Sequence, residues 1–372
     1  MVGLTDLKRV AFDAFTKLPL SVKKVLVKPI TRYNNYQLKQ LKTPKSLTFF
    51  VTTKCNLKCS HCFYSAELNQ PDIQELSLEE IDKIISSFNH PIESVSLTGG
   101  ETFLRRDIVE ISKILHEKGK VKYFNIVTNG YFTNVVIDKV KQIAVFPGTR
   151  LNLHVSIDGF EQTHDKIRGS DSSFARAVET VKQAKSIPGI DICVVTSIHK
   201  GNYQEVPALI DFVKGLGVRH KFQYVRGSWR DVQQINPKIL SDFNPKDEEC
   251  SVLLPKEVVY KLNEILNQHD PDKSQILKRE YFIKHLYEKK KMLDCKAGYL
   301  DGVIYPNGDV AMCEMTIPFA NLRNFSFDME KLWNSDEAGK MRRQTSACFC
   351  THSCNLIRSM YYDEKSLLRL TS

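Results

Sequence analysis

The chain has 372 residues, 42% apolar and 26% charged, enough for one large domain with a smaller one beside it. It holds no run of about 18 apolar residues, which excludes a membrane-spanning helix, and no apolar stretch behind the first charges, which argues against a signal peptide. The net charge of +10 is concentrated in residues 1–45, with ten Lys/Arg against Asp6 and Asp13; the remainder, 43 basic against 41 acidic residues, is nearly neutral, so no nucleic-acid partner is expected.

In the head, LTDLKRVAFDAFTKLPLSVKKVLVKPI, the residues Leu7, Val10, Ala11, Ala14, Phe15 and Leu18 fall at helical spacing, with Pro19 and Pro29 as punctuation. A basic amphipathic helix of this kind either packs on the main domain with a solvated basic face or lies on an anionic membrane surface. The expectation is a cytoplasmic protein, with a peripheral contact at the inner membrane surface through residues 1–45 as the second reading.

From residue 46, strand-like and helix-like segments alternate. SLTFFVT (46–52) is β-rich, and SLEEIDKIISSF (77–88) opens with the capping-box pair Ser77 and Glu80. SVSLT (94–98) with DIVEISKILHEKG (107–119), and KYFNIVT (122–128) with VVIDKVKQIA (135–144), repeat the pair. RLNLHVSID (150–158) precedes SFARAVETVKQAK (173–185), IDICVVTSI (190–198) precedes EVPALIDFVKGLG (205–217), and KFQYV (221–225) closes the series. Six strands separated by five helices predict an α/β fold with a parallel sheet, with chemistry at the carboxyl ends of the strands. Residues 228–290 are polar and mostly helical in pattern. The expected divisions are a basic extension (1–45), a core (46–227), a helical bridge (228–290) and a cysteine-rich C-terminal domain (291–372).

Eight of the ten cysteines fall in two groups, 55–62 and 295–354, while Cys193 and Cys250 stand alone as small packing residues. Grouping of this kind in a large Lys-rich chain favours metal ligation over a disulfide framework. Cys55, Cys59 and Cys62 supply three thiolates; a four-iron cubane held by three keeps one iron open to a small chelating molecule. The competing readings are a zinc knuckle completed by His61, and a redox cysteine pair.

Cys55-x3-Cys59-x2-Cys62 after the first strand resembles the signature of the radical S-adenosylmethionine (radical SAM) superfamily. LTGGE (97–101) after the second strand, TNG (128–130) after the third and SIDGFEQTHDKIRG (156–169) after the fourth extend the resemblance in order. It implies a partial (β/α)6 TIM-like barrel and a 4Fe–4S cluster on the three thiolates, whose open iron binds the amino and carboxylate groups of S-adenosylmethionine. Gly99 and Gly100 would let backbone approach that ligand. Glu101 would pair with its ammonium, Arg168 with its carboxylate, and Ser156 and Asp158, with Asn129 as a weaker contact, would lie by the ribose. The resemblance also implies reductive cleavage to a 5′-deoxyadenosyl radical, hydrogen abstraction from an organic substrate, and an electron donor such as flavodoxin or ferredoxin.

In the second group, Pro306-Asn307-Gly308 is a hairpin signal that would fold Cys313 back towards Cys295. Cys295-x12-Gly308-x4-Cys313 is similar to the opening of SPASM and twitch auxiliary-cluster domains. With Cys348, Cys350 and Cys354 there are five cysteines, enough for one auxiliary 4Fe–4S cluster with one to spare; a zinc ribbon, joined by His352, is the alternative.

The reading is an oxidoreductase-like radical SAM enzyme. A small-molecule or lipid-linked substrate is favoured, because a 45-residue head is short for a peptide-binding domain. The alternatives are a peptide-modifying enzyme, as in maturation of ribosomally made peptides, and a non-catalytic iron–sulfur or zinc protein, against which the intact Glu101 and Arg168 argue. Tyr224, Arg226 and Trp229 are candidates for lining the substrate pocket or for simple packing.

Overall fold

The computed structural model describes residues 12–225, 254–288, 290–346 and 353–372, with Ser346, Ser353 and Cys354 by backbone alone. Arg226, Trp229, Cys250, Cys348, Cys350, His352 and residues 1–11 lie outside the described residues.

The core follows the strand–helix alternation of the sequence. Helix α1 (Leu20–Lys39) leads into β1 (Ser46–Phe50), α2 (Leu78–Ser86), β2 (Ser94–Thr98), α3 (Ile108–Glu117), β3 (Tyr123–Thr128) and α4 (Thr133–Ala144). Then come β4 (Arg150–Ser156), α5 (Glu161–Arg168), α6 (Ser173–Ala184), β5 (Ile190–Ile198), α7 (Val206–Leu216) and β6 (Arg219–Tyr224). All six strands pair in parallel, in the order β6-β5-β4-β3-β2-β1. The capping box at α2 forms as its sequence predicts: Ser77 Oγ accepts from Glu80 N–H, and Glu80 returns a carboxylate to Ser77 N–H.

The head differs from its sequence reading. Within the expected span 7–18, residues 12–16 are helical, and a second, longer helix covers 20–39 and runs through Pro29. Leu38, Val27, Thr31 and Lys23 bury one face of it, and packing of that face outweighs the hydrogen bond that proline removes. The stretch 161–168, read only as a motif, is a helix, ended by Gly169 in the left-handed conformation at φ 65°.

The sheet is two-faced. Leu47, Val95, Leu97, Ile126, Leu153 and Val194 point outwards into the main core against the helices. The alternate positions are polar: Ser96, Thr98, Asn125, Asn152, His154 and Ser156 line the concave side. A closed barrel of this class fills its interior with branched apolar side chains. Here the sheet stays open and encloses a polar cavity instead.

Helices α8 (Lys256–His269) and α9 (Lys273–Leu286) cover the β6 edge through Leu262, Leu266 and Phe282. The C-terminal part then continues the same sheet. Strand β7 (Asp301–Ile304) pairs in parallel with β1, β8 (Asp309–Ala311) turns back on it, and β9 (Ala320–Asn321) forms the far edge. The turn is the Pro306-Asn307-Gly308 hairpin of the sequence, with Gly308 at φ 89°. Helices α10 (Met329–Trp333), α11 (Asp336–Ser346), α12 (Ser353–Met360) and α13 (Glu364–Thr371) complete the chain. Among the described residues no helix is long and apolar enough to cross a membrane.

A chain cut after residue 290 would leave β1 as a free edge with its ladder groups unpaired. Size-exclusion chromatography is expected to show oligomers or aggregates for this truncation; a monodisperse fragment with native circular dichroism would contradict the integral role of β7.

Candidate active site

Cys55, Cys59 and Cys62 lie on the irregular segment that leaves the C-terminal end of β1. Such a segment must find main-chain partners outside any ladder, and it finds them on two sides. Gly100 and Glu101 donate N–H bonds to the carbonyls of Thr52 (2.9 Å) and Lys54 (2.8 Å). Opposite, the N–H groups of Lys58 and Ser60 donate to the carbonyls of Arg168 (3.3 Å) and Ile167 (2.9 Å) at the end of α5. Asn69 closes the turn by bonding both the N–H and the carbonyl of Cys55, each at 3.0 Å.

The two glycines serve this clamp. A Cβ on Gly99 would stand 2.4 Å from Thr52 O, and one on Gly100 would stand 2.2 Å from Lys54 O. The cysteine loop's own backbone approaches them closely on this side, and both glycines also line the cavity. Behind the loop, Glu75 accepts from Thr52 Oγ1 (2.6 Å) and Thr53 N–H (2.9 Å) and pairs with Arg105 (3.0 Å). Arg105, itself buried, also binds Asp107 and donates to the carbonyls of Val51 and Leu76. Sequence reasoning missed Glu75, Asn69 and Arg105; the stretch LRRD just after the Gly-Gly-Glu motif was the available signal.

The remaining candidates gather at the ends of β2 to β5. Glu101 is 2% exposed and lines the cavity, with its carboxylate accepting from Phe103 N–H, Thr128 Oγ1 and Asn129 N–H. Burial raises its pKa against these three lowering bonds. Asn129 bridges to the cysteine loop, donating to Asn56 Oδ1 (3.0 Å). Ser156 lines the cavity.

Asp158, expected by the ribose, lies beneath Arg168. It is fully buried and absent from the cavity wall, with its carboxylate accepting from Ser197 N–H (2.8 Å) and paired with Arg168 (2.5 Å). The nearby guanidinium holds Asp158 ionised against the raising effect of burial. Arg168 is thus aimed by Asp158, with Nη1 3.6 Å from Cys59 Sγ, and its buried Nε has no acceptor among the described residues. His61 turns to Asp158 (3.7 Å) and His199 rather than completing a zinc site, and burial drives its pKa down to about 3.

The second cysteine group reaches the same cavity. Cys295 and Cys313 share an apolar cluster with Phe63, which also packs beside Cys62. Cys313 lines the cavity with Cys55, Cys59 and Cys62, and Asn355 at the start of α12 donates to its sulfur (3.1 Å). Cys354 lies in the first turn of that helix; its side chain, like Cys348 and Cys350, is outside the description. Of the isolated cysteines, Cys193 is buried at 3% exposure. Tyr224 is chiefly a packing residue, stacked on Phe282 and donating to Asn263 (2.8 Å), although its edge reaches the cavity.

A family model described as the radical SAM superfamily matches residues 49–213, and one described as an iron–sulfur cluster-binding domain, SPASM, matches residues 295–355. The chain carries a radical SAM domain followed by a SPASM domain. Its cofactors are a 4Fe–4S cluster with S-adenosylmethionine and an auxiliary iron–sulfur cluster of the SPASM region. It is similar to the antilisterial bacteriocin subtilosin biosynthesis protein AlbA of Bacillus subtilis, 27% identical over 83% of this chain and 64% of AlbA. The sporulation killing factor maturation protein SkfB of the same organism is 28% identical over 45% of this chain and 39% of SkfB. The chain therefore spans less than two thirds of either relative. Among solved structures, Streptococcus suis SuiB bound to its precursor peptide SuiA shares the fold, with a TM-score of 0.59 at 16% identity, over 84% of this chain and 70% of SuiB.

The residues present fit a radical SAM cluster. Three thiols share one cavity wall, and burial pushes Cys55 up to about 11 and Cys62 up to about 12. Thiols in so dry a setting ionise when a metal centre replaces the proton. Among the described residues no group of three or more His, Cys, Asp or Glu side chains is set to hold a single metal ion.

Two substitutions test the clamp. Gly100→Ala forces the loop off Lys54 and is expected to lower bound iron by about four per chain, with the melting transition retained; unchanged iron would contradict it. Glu75→Ala leaves Arg105 short of a counter-charge and is expected to cost about 2–3 kcal/mol in urea unfolding.

Proposed function

We propose that this chain is a radical SAM enzyme that modifies a peptide. Cys55, Cys59 and Cys62 would hold the primary cluster, and Cys295 and Cys313, with ligands from Cys348, Cys350 and Cys354, the auxiliary one. When bound, the primary cluster and S-adenosylmethionine supply one-electron hydrogen abstraction from carbon. Arg168, aimed by Asp158, offers its unsatisfied donor to the ligand carboxylate, and Glu101 presents a fixed negative charge at the end of β2.

The observation that carries the reading is the shared cavity. It measures ≈1020 Å³ and is walled by Cys55, Cys59 and Cys62, by Cys313 of the second group, and by the polar face of β2 to β5. That volume is at the upper end for a small-molecule pocket, so a nucleoside cofactor and a substrate segment fit in it together. The peptide class is supported by the likeness to AlbA, which extends through the core into the C-terminal part, and by the fold shared with peptide-bound SuiB. The small-molecule substrate that the short head favoured has its own relatives, an Fe-coproporphyrin III synthase of Methanosarcina barkeri and probable GTP 3′,8-cyclases of Saccharolobus islandicus, each 32% identical, but these match only 44–47% of this chain against 83% for AlbA.

Formation of 5′-deoxyadenosine distinguishes the classes. Reconstituted anaerobically with S-adenosylmethionine and dithionite, the protein is expected to form it slowly, and faster with a low-molecular-weight extract of the cells that encode it. Treating the extract with protease, then removing the protease, should abolish the stimulation. Stimulation that survives proteolysis would return the assignment to a small molecule, and no product above a Cys55→Ala control would overturn the enzymatic reading.

A further inference from the structure

Helix α1 carries an apolar stripe on the side away from the protein. Of the nine large hydrophobic side chains exposed among the described residues, six belong to it: Leu20, Val22, Val25 (72% exposed), Leu26, Tyr33 and Tyr36. At 100° per residue, Val22, Val25, Leu26, Tyr33 and Tyr36 fall within an arc of about 100°, together with Pro29. The opposite arc holds Lys23, Val27, Thr31 and Leu38, which are buried. That inner face is tied down by Lys23 Nζ donating to Thr371 O (2.5 Å) and by Asn35 donating to Tyr362 O (2.8 Å). The body of the protein therefore fixes which way the stripe points.

Scattered exposed apolar residues are ordinary, but a continuous stripe marks a contact. Its border identifies the partner. Lys28, Arg32 and Lys39 run along one side of the stripe, none of them paired with an acidic side chain among the described residues, and the helix contains no Asp or Glu. Two tyrosines within an apolar band, edged by unpaired cations, match the boundary between lipid tails and anionic headgroups, where aromatic rings sit at headgroup depth and lysine stems reach outwards. A protein partner of the same size would be expected to meet this row with matching acids, and would not need the tyrosines at the interface depth.

We propose that α1 docks the enzyme on an anionic membrane surface, its axis in the plane of the interface and the stripe Val22–Tyr36 inserted. The proposal is independent of the substrate assignment, since it concerns a face that holds no cysteine. Docking would hold the cavity at a fixed height above the bilayer while the chemistry proceeds in the aqueous phase.

Co-sedimentation of the full chain with vesicles tests it. Binding to phosphatidylcholine vesicles containing phosphatidylglycerol should exceed binding to phosphatidylcholine alone by about tenfold, and should weaken as salt shortens the Debye length. Tyr33→Ser with Tyr36→Ser, and separately Lys28→Gln with Arg32→Gln and Lys39→Gln, should each lower it by about tenfold, with unchanged melting and unchanged 5′-deoxyadenosine formation. No preference for anionic vesicles overturns the proposal, as does binding that both variants retain. Concentration-dependent self-association through this face without vesicle binding also overturns it, in favour of a protein contact.

Discussion

The parallel pairing of β7 with β1 is the constraint on which the site depends. It makes β1 an interior strand, with the six-stranded half-barrel on one side and the C-terminal hairpin on the other. The loop leaving β1 therefore opens over the seam between the two parts of the chain. Cys313 of the second group reaches the cavity of Cys55, Cys59 and Cys62 there, and Phe63 packs against the apolar clusters on both sides. Main-chain hydrogen bonds set this arrangement, so it is largely insensitive to which side chains decorate the strands.

Irregular backbone carries the thiols, and its rigidity is borrowed. The Gly-Gly-Glu strand end supports one flank and the carbonyls of α5 the other, so the motifs that lie far apart in sequence act first on the loop and only then on a ligand. Two buried charge pairs, Arg105 with Glu75 and Arg168 with Asp158, stiffen the same region. Such pairs contribute little net stability, because desolvation offsets their attraction. Their effect here is geometric: a guanidinium beside Cys59 and a loop that cannot drift from β2.

Much of the fold was legible because the strands and helices differ in period, and β2 and β5 match their expected bounds of 94–98 and 190–198. Local signals also carried the α2 cap and the hairpin at Gly308. What sequence could not convey was which partner each motif residue meets. Asp158 lies under Arg168, Gly99 and Gly100 press against loop backbone as well as lining the cavity, and Pro29 sits inside a helix, all outcomes of tertiary contact rather than local preference. The continuous sheet was equally hidden, since nothing in DGVI announces pairing with a strand some 250 positions earlier.

The account turns on a primary cluster whose open side faces the cavity. Electron paramagnetic resonance of the anaerobic, dithionite-reduced protein, recorded with and without S-adenosylmethionine, tests this most directly. Two cluster signals are expected, of which one shifts on addition of the nucleotide and disappears in a Cys59→Ala variant. A spectrum that the nucleotide leaves unchanged, or a trio of thiols occupied by zinc, would contradict it.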